Sequence, residues 1–111
     1  MDNTPLAMAQ KIENALTHIK TLCKELDEKA KKKAECAVAA ECALDIAIVK
    51  LEADGCKLAV IRDRAKAQCK IARLNDMLAE SGYKSLVIKI EAAKAILNGI
   101  QSQNRHLEIM Q

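Results

Sequence analysis

Residues 6–53, LAMAQKIENALTHIKTLCKELDEKAKKKAECAVAAECALDIAIVKLEA, contain neither Gly nor Pro. Residues of high helix propensity dominate the stretch, and its apolar residues recur every seven positions. Leu16, Cys23, Ala30, Ala37, Leu44 and Leu51 form one row; Ile19, Leu26, Lys33, Ala40 and Ala47 follow three residues behind, with Lys33 the one violation. The pattern predicts a single helix over 5–53, about 75 Å long at 1.5 Å per residue, packed as a coiled coil. Thr4-Pro5 suits its start: Thr can cap the first turn, and Pro lacks an N–H that would be unpaired there. Asp54-Gly55 suits its end, because Gly takes the left-handed backbone of a helix terminus at least cost.

Along this helix the seam changes character. Leu and Ile dominate near its start, whereas between Ala30 and Ala40 it is almost all Ala, which brings helix axes close but buries little area. The run Lys29-Ala30-Lys31-Lys32-Lys33 falls here and reads first as a solvated face. Past Gly55 a connector over 54–66 follows, with Leu58, Val60 and Ile61 apolar and a turn or two of helix at Arg62–Ala65. A second long helix is predicted over about 67–108. Its seam is Ala79, Tyr83, Leu86, Ile90, Ala93, Leu97, Ile100, Asn104 and Leu107, spaced alternately by three and four. Gly82 and Gly99 interrupt it, each costing about 1 kcal/mol against Ala, and the helix is expected to continue through Ser81-Gly82. The polar Asn104 on the seam suits a register-fixing role.

One short connection between two long helices implies an antiparallel hairpin, a single all-α domain over 1–111. A lone hairpin has one seam and buries too little to offset chain entropy. Val38, Ile46, Ile48 and Val49 on the first helix, and Ile71, Leu74, Leu78, Val87, Ile88 and Ile96 on the second, lie beside the seams and need cover. A second copy, giving a homodimeric four-helix bundle, is the economical expectation.

Composition narrows the class further. Half of the 111 residues are apolar, but 19 of them are Ala, and Tyr83 is the lone aromatic. Three Gly and one Pro exclude a hairpin-rich β fold, which needs turn residues at frequent intervals. At 30% charged residues, no stretch reads as a membrane span. The opening MDNTPLAMAQ has no basic segment followed by an apolar one, so a secretory leader is not expected and a cytoplasmic location is. The five cysteines (Cys23, Cys36, Cys42, Cys56, Cys69) form no closely spaced pair, and His18 and His106 lie far from them in sequence. They read as packing thiols in a reducing compartment, with no metal or other cofactor. Charge is uneven: residues 35–54 sum to −4 and residues 57–73 to +5. Folding back at Gly55 sets these segments side by side, which weakens the second as a nucleic-acid surface.

The run Leu51-Glu-Ala-Asp-Gly-Cys-Lys-Leu-Ala-Val-Ile-Arg-Asp-Arg-Ala65 is followed by Ala79-Glu-Ser-Gly-Tyr-Lys-Ser-Leu86 and by Lys89 to Leu107, which ends Gln-Ser-Gln-Asn-Arg-His-Leu. Across roughly residues 40–107 this resembles a group of small helical proteins of phages and prophages. In that group a long helix ends at Gly, a short apolar–apolar–x–Asp–x–Ala segment follows, and an Ala-Glu…Tyr-Lys helix ends in a Gln/Asn-rich turn. The chain departs from the pattern at Lys57, where Pro is common, and at Gly82 before the Tyr. The resemblance implies phage origin, a setting among recombination and single-strand-binding functions, and the cytoplasm of an infected or lysogenic host cell. It carries no catalytic residues.

The sequence holds no GxSxG, GxxxxGK[ST], HExxH or paired Cys/His box. Tyr83 on a helical seam reads as an anchor rather than a catalytic acid, and a thin hairpin is not expected to offer a deep pocket. The protein is therefore read as no enzyme. Two functions stay open. One is a protein–protein interaction module that binds a phage recombination or replication protein, or inhibits a host protein. The other is a direct nucleic-acid binder, whose footprints would be Lys29–Lys33 and Arg62, Lys66, Lys70 and Arg73, spaced 4, 4 and 3. Scarce aromatics count against the second, since single-strand binders stack bases on them. For the first, the tip from Gly55 to Arg73 is the expected surface, carried by Arg62, Arg64, Lys66, Lys70 and Arg73, because Arg suits interfaces through its planar five-donor fork. In the competing reading Leu58, Val60 and Ile61 close the bundle end while the arginines pair with Glu41, Asp45 and Glu52.

Overall fold

The computed structural model describes residues 4–110, so residues 1–3 and 111 of the expected domain lie outside it. The described chain is all-α: α1 (Pro5–Ala53), α2 (Leu58–Gln68) and α3 (Lys70–Met110). At the start of α1, Thr4 Oγ1 accepts a hydrogen bond from the Ala7 N–H at 3.2 Å. At its end Gly55 takes φ 78°. The Gly55 N–H donates to Glu52 O at 3.1 Å and the Cys56 N–H to Leu51 O at 2.9 Å, the paired bonds by which a left-handed residue satisfies the last carbonyls. α3 stays helical through Gly82 and Gly99.

Two compact units make up the chain: Met1–Asp27 with Lys84–Gln111, and Glu28–Tyr83. In the first unit, Leu22 of α1 packs on Leu86, Ile90 and Ala93 of α3, with Ile19 and Leu26 half-buried beside them. Ile12, earlier on α1, lies with Gln101, Asn104 and Arg105, later on α3, so the helices run antiparallel there. In the second unit, Ala47 and Leu51 of α1 pack on Ile61 and Ala65 of α2 and on Cys69, flanked by Ala43, Leu44, Ile48 and Cys56. Lys33 meets Tyr83 in the same unit, so the antiparallel sense holds there too.

Of the two expected heptad rows of α1, the second lies inward throughout, with Ile19, Leu26 and Lys33 half-buried and Ala40 and Ala47 buried; the first does not. Leu16 is 43% exposed, and Cys23, Ala30 and Ala37 of its row are exposed as well. In their place Met8 and Leu22 are buried and Ala15 and Cys36 half-buried. The row turns inward only at Leu44, half-buried, and Leu51, buried. Met8, Ala15, Leu22, Cys36 and Ala43 fall on one seven-residue row and Ile12, Ile19, Leu26, Lys33, Ala40 and Ala47 on another, so the seven-residue period holds along α1. The expected first row lies one residue beyond the inward one until Leu44.

The connector also differs. Helix begins at Leu58, not Arg62, and runs to Gln68. The next break falls at Cys69, which is buried, with φ −103° and ψ 22°. Its N–H is shared between Ala65 O and Lys66 O, both at 3.2 Å, a local tightening of the last turn. Ile61, Ala65 and Cys69, spaced by four, are the buried stripe that seats α2 on α1.

Candidate interaction surface

The five expected partner-binding cations lie across two elements, Arg62, Arg64 and Lys66 on α2 and Lys70 and Arg73 on α3. The 4, 4, 3 spacing read as one helical face is thus interrupted at Cys69. All five are exposed; within α2 only Ile61 and Ala65 are buried. Arg64 Nη1 donates to Cys56 Sγ at 3.7 Å, which draws this guanidinium toward the α1–α2 turn. Leu58 and Val60 do not close the end of the unit: they are 79% and 39% exposed, and Ile61 alone of the three is buried.

Lys33, the residue that violates the heptad, is half-buried, and its Nζ stands 5.0 Å from the centroid of the Tyr83 ring. An ammonium at this distance is attracted to the electron-rich ring face. The violation thus has a partner within the seam, and Tyr83 has one of its faces occupied. Of the other expected seam residues, Leu86 and Ile90 are buried and Ile19, Leu26, Leu97 and Ile100 half-buried.

Open troughs, none of them a deep pocket, line the second unit. One of about 650 Å³ has Ala43, Ala47, Cys69 and Ala72 for its floor, Ile46 of α1 and Ile71 of α3 for walls, and Lys50 and Lys70 on its rims. A second, of about 320 Å³, lies between Lys29, Lys32 and Cys36 of α1 and Asn75, Leu78, Ala79 and Gly82 of α3. Small side chains explain both, since Ala and Gly leave the space that a Leu would fill. Most of the surplus apolar residues stay outside: Val38 (59%), Ile46 (56%), Ile71 (78%) and Leu78 (61%) are exposed, whereas Ile48 and Val87 are half-buried.

All five cysteines are free, and Cys69 alone is buried. Among the described residues, no three His, Cys, Asp or Glu side chains converge as a metal site would require. No known family matches this chain, and neither does any curated protein or solved structure compared with it. Among the described residues no helix is long and apolar enough to cross a membrane.

Proposed function

We propose that the protein is a non-enzymatic interaction module, working as a homodimeric four-helix bundle that offers the cationic face of α2 to a protein partner. The observation that carries the reading is the division of labour on α2. It commits Ile61 and Ala65 to the core and leaves Arg62, Arg64 and Lys66 exposed, with Lys70 and Arg73 just beyond. The resemblance to small phage and prophage proteins supports a phage recombination or replication protein, or an inhibited host protein, as that partner, in the cytoplasm of the host cell. A partner with an acidic or mixed patch fits the chemistry of the face.

Direct nucleic-acid binding is the second reading, favoured by the same cations. Against it, the lone aromatic is Tyr83, half-buried and with Lys33 over one ring face, which makes it a poor platform for stacking bases.

The double reversal Arg62→Glu with Arg64→Glu tests both readings. Loss of protein capture with helicity and oligomeric state intact is the expected result. Retained capture removes α2 as the surface and moves the search to Lys29–Lys33. Tight, salt-sensitive binding of bare DNA by the wild type, weakened by the same reversal, establishes the second reading, because phosphate contacts release counterions.

A further inference from the structure

We infer that the Ile46–Ile71 side of the second unit is the self-association face, and that the exposed apolar row of α1 from a second copy occupies its groove. This rests on the homodimer proposed above and is independent of the cationic face of α2.

Two exposed rows frame the groove. On α1, Val38, Cys42, Ile46 and Val49 recur at intervals of four, four and three, all exposed and away from the inward row of Ala40, Ala43, Leu44 and Ala47. On α3, Ile71, Leu74 and Leu78 recur at three and four, and are 78%, 54% and 61% exposed. Ile46 and Ile71 wall the same trough, over its alanine floor. Uncovered, these side chains face water in a unit whose buried residues are mostly small, an arrangement that marks a binding face more than a finished surface.

Charge selects the occupant. The α1 row is flanked by Glu41, Asp45 and Glu52, all exposed, while the groove is rimmed by Lys50 and Lys70, with Arg73 next to Leu74. One chain therefore carries an apolar row with an acidic edge and an apolar groove with a basic rim. Two copies related by a two-fold axis can each place the row in the other's groove, the mutual exchange that an isologous dimer requires. Pairing α1 row on α1 row would set like charges together and is disfavoured. A phosphate backbone would meet the acidic edge of α1 and the apolar walls, and finds no match.

Sedimentation equilibrium on the full chain tests the face. The wild type is expected to be a dimer at micromolar concentration. Ile46→Asp and Ile71→Asp are each expected to weaken self-association at least about a hundredfold, while Ile96→Asp, at an exposed position in the first unit, leaves it unchanged. Because Ile46 and Ile71 are exposed within one chain, a fall in helicity that accompanies their dissociation, absent in Ile96→Asp, also supports the inference. A charge swap checks the occupant. Chains carrying Lys50→Glu with Lys70→Glu, and chains carrying Glu41→Lys with Asp45→Lys, should each associate poorly alone and form heterodimers when mixed. A wild-type dimer unmoved by Ile46→Asp and Ile71→Asp overturns the inference and leaves the homodimer standing. A wild-type monomer overturns both. A monomer that loses capture of a different protein on Ile71→Asp gives the groove to that protein and also overturns the second copy as occupant.

Discussion

The two units solve the same packing problem with opposite materials. The first buries large aliphatic side chains, Leu22, Leu86 and Ile90, against one another across a two-helix seam. The second buries Ala47, Ala65 and Cys69 with Leu51 and Ile61, and adds α2 as a third element. Large apolar residues are not scarce in the second unit; of the fifteen exposed ones among the described residues, nine, from Val38 to Leu78, belong to it. It holds small residues inside and large ones outside. Burial free energy scales with apolar area, at about 25 cal/mol per Å², so the first unit draws its stability from its own seam. The second leaves Val38, Ile46, Ile71 and Leu78 exposed within a single chain.

That contrast can be broken at three points. The largest effect is expected at Leu86, 5% exposed at the centre of the first seam. Leu86→Asp sets an unpaired carboxylate among Leu22, Ile90 and Ala93 and should cost more than about 4 kcal/mol. Hydrogen exchange should then show residues 4–27 and 84–110 losing protection first. An even loss over both units would mean that they fold as one.

A smaller loss is expected at Ala65, fully buried in the second unit. Ala65→Leu adds volume where α2 sits on α1, and overpacking of this kind costs about 1–3 kcal/mol in urea denaturation. A neutral or stabilising result would show that the small-residue core has room to spare, and that its closeness is not what seats α2. The smallest effect belongs to the Lys33–Tyr83 pair. A double-mutant cycle of Lys33→Met and Tyr83→Leu should return a coupling of about 0.5–2 kcal/mol. Coupling near zero would make Lys33 an ordinary solvated lysine and return the heptad violation to being unexplained.

Helix ends were the most legible part of this fold, because their chemistry is local. Thr4-Pro5 and Asp54-Gly55 bound α1 through contacts spanning no more than five residues. The inward row of α1 was half legible. Heptad counting places the row Ile19, Leu26, Lys33, Ala40 and Ala47 inward, as it is, but its companion row is Met8, Ala15 and Leu22, one residue before the row that begins at Leu16. Leu16 and Cys23 are as apolar as Ala15 and Leu22, so residue type alone does not choose between the two registers. The start of α2 was obscured by Lys57, which occupies its N-cap without a side-chain cap bond. The candidate surface was legible as charge only. Exposure of the five cations follows from their chemistry, but the break at Cys69 that divides them depends on how Ala65 and Cys69 meet Ala47 and Leu51. The Ile46–Ile71 groove pairs residues 25 positions apart, and no local pattern announces it.

The place of Tyr83 also decides what light can report about this protein. With no Trp and no Phe, this one phenol is the whole of its near-ultraviolet side-chain absorbance and intrinsic fluorescence. It sits by Lys33 in the second unit, 5.0 Å from its Nζ to the ring centroid, so its emission reports the closeness of α1 and α3 there. Far-ultraviolet dichroism, by contrast, sums over every turn of α1, α2 and α3. Melting curves from the two signals that part company would reveal the units separating in stability, without any label being introduced.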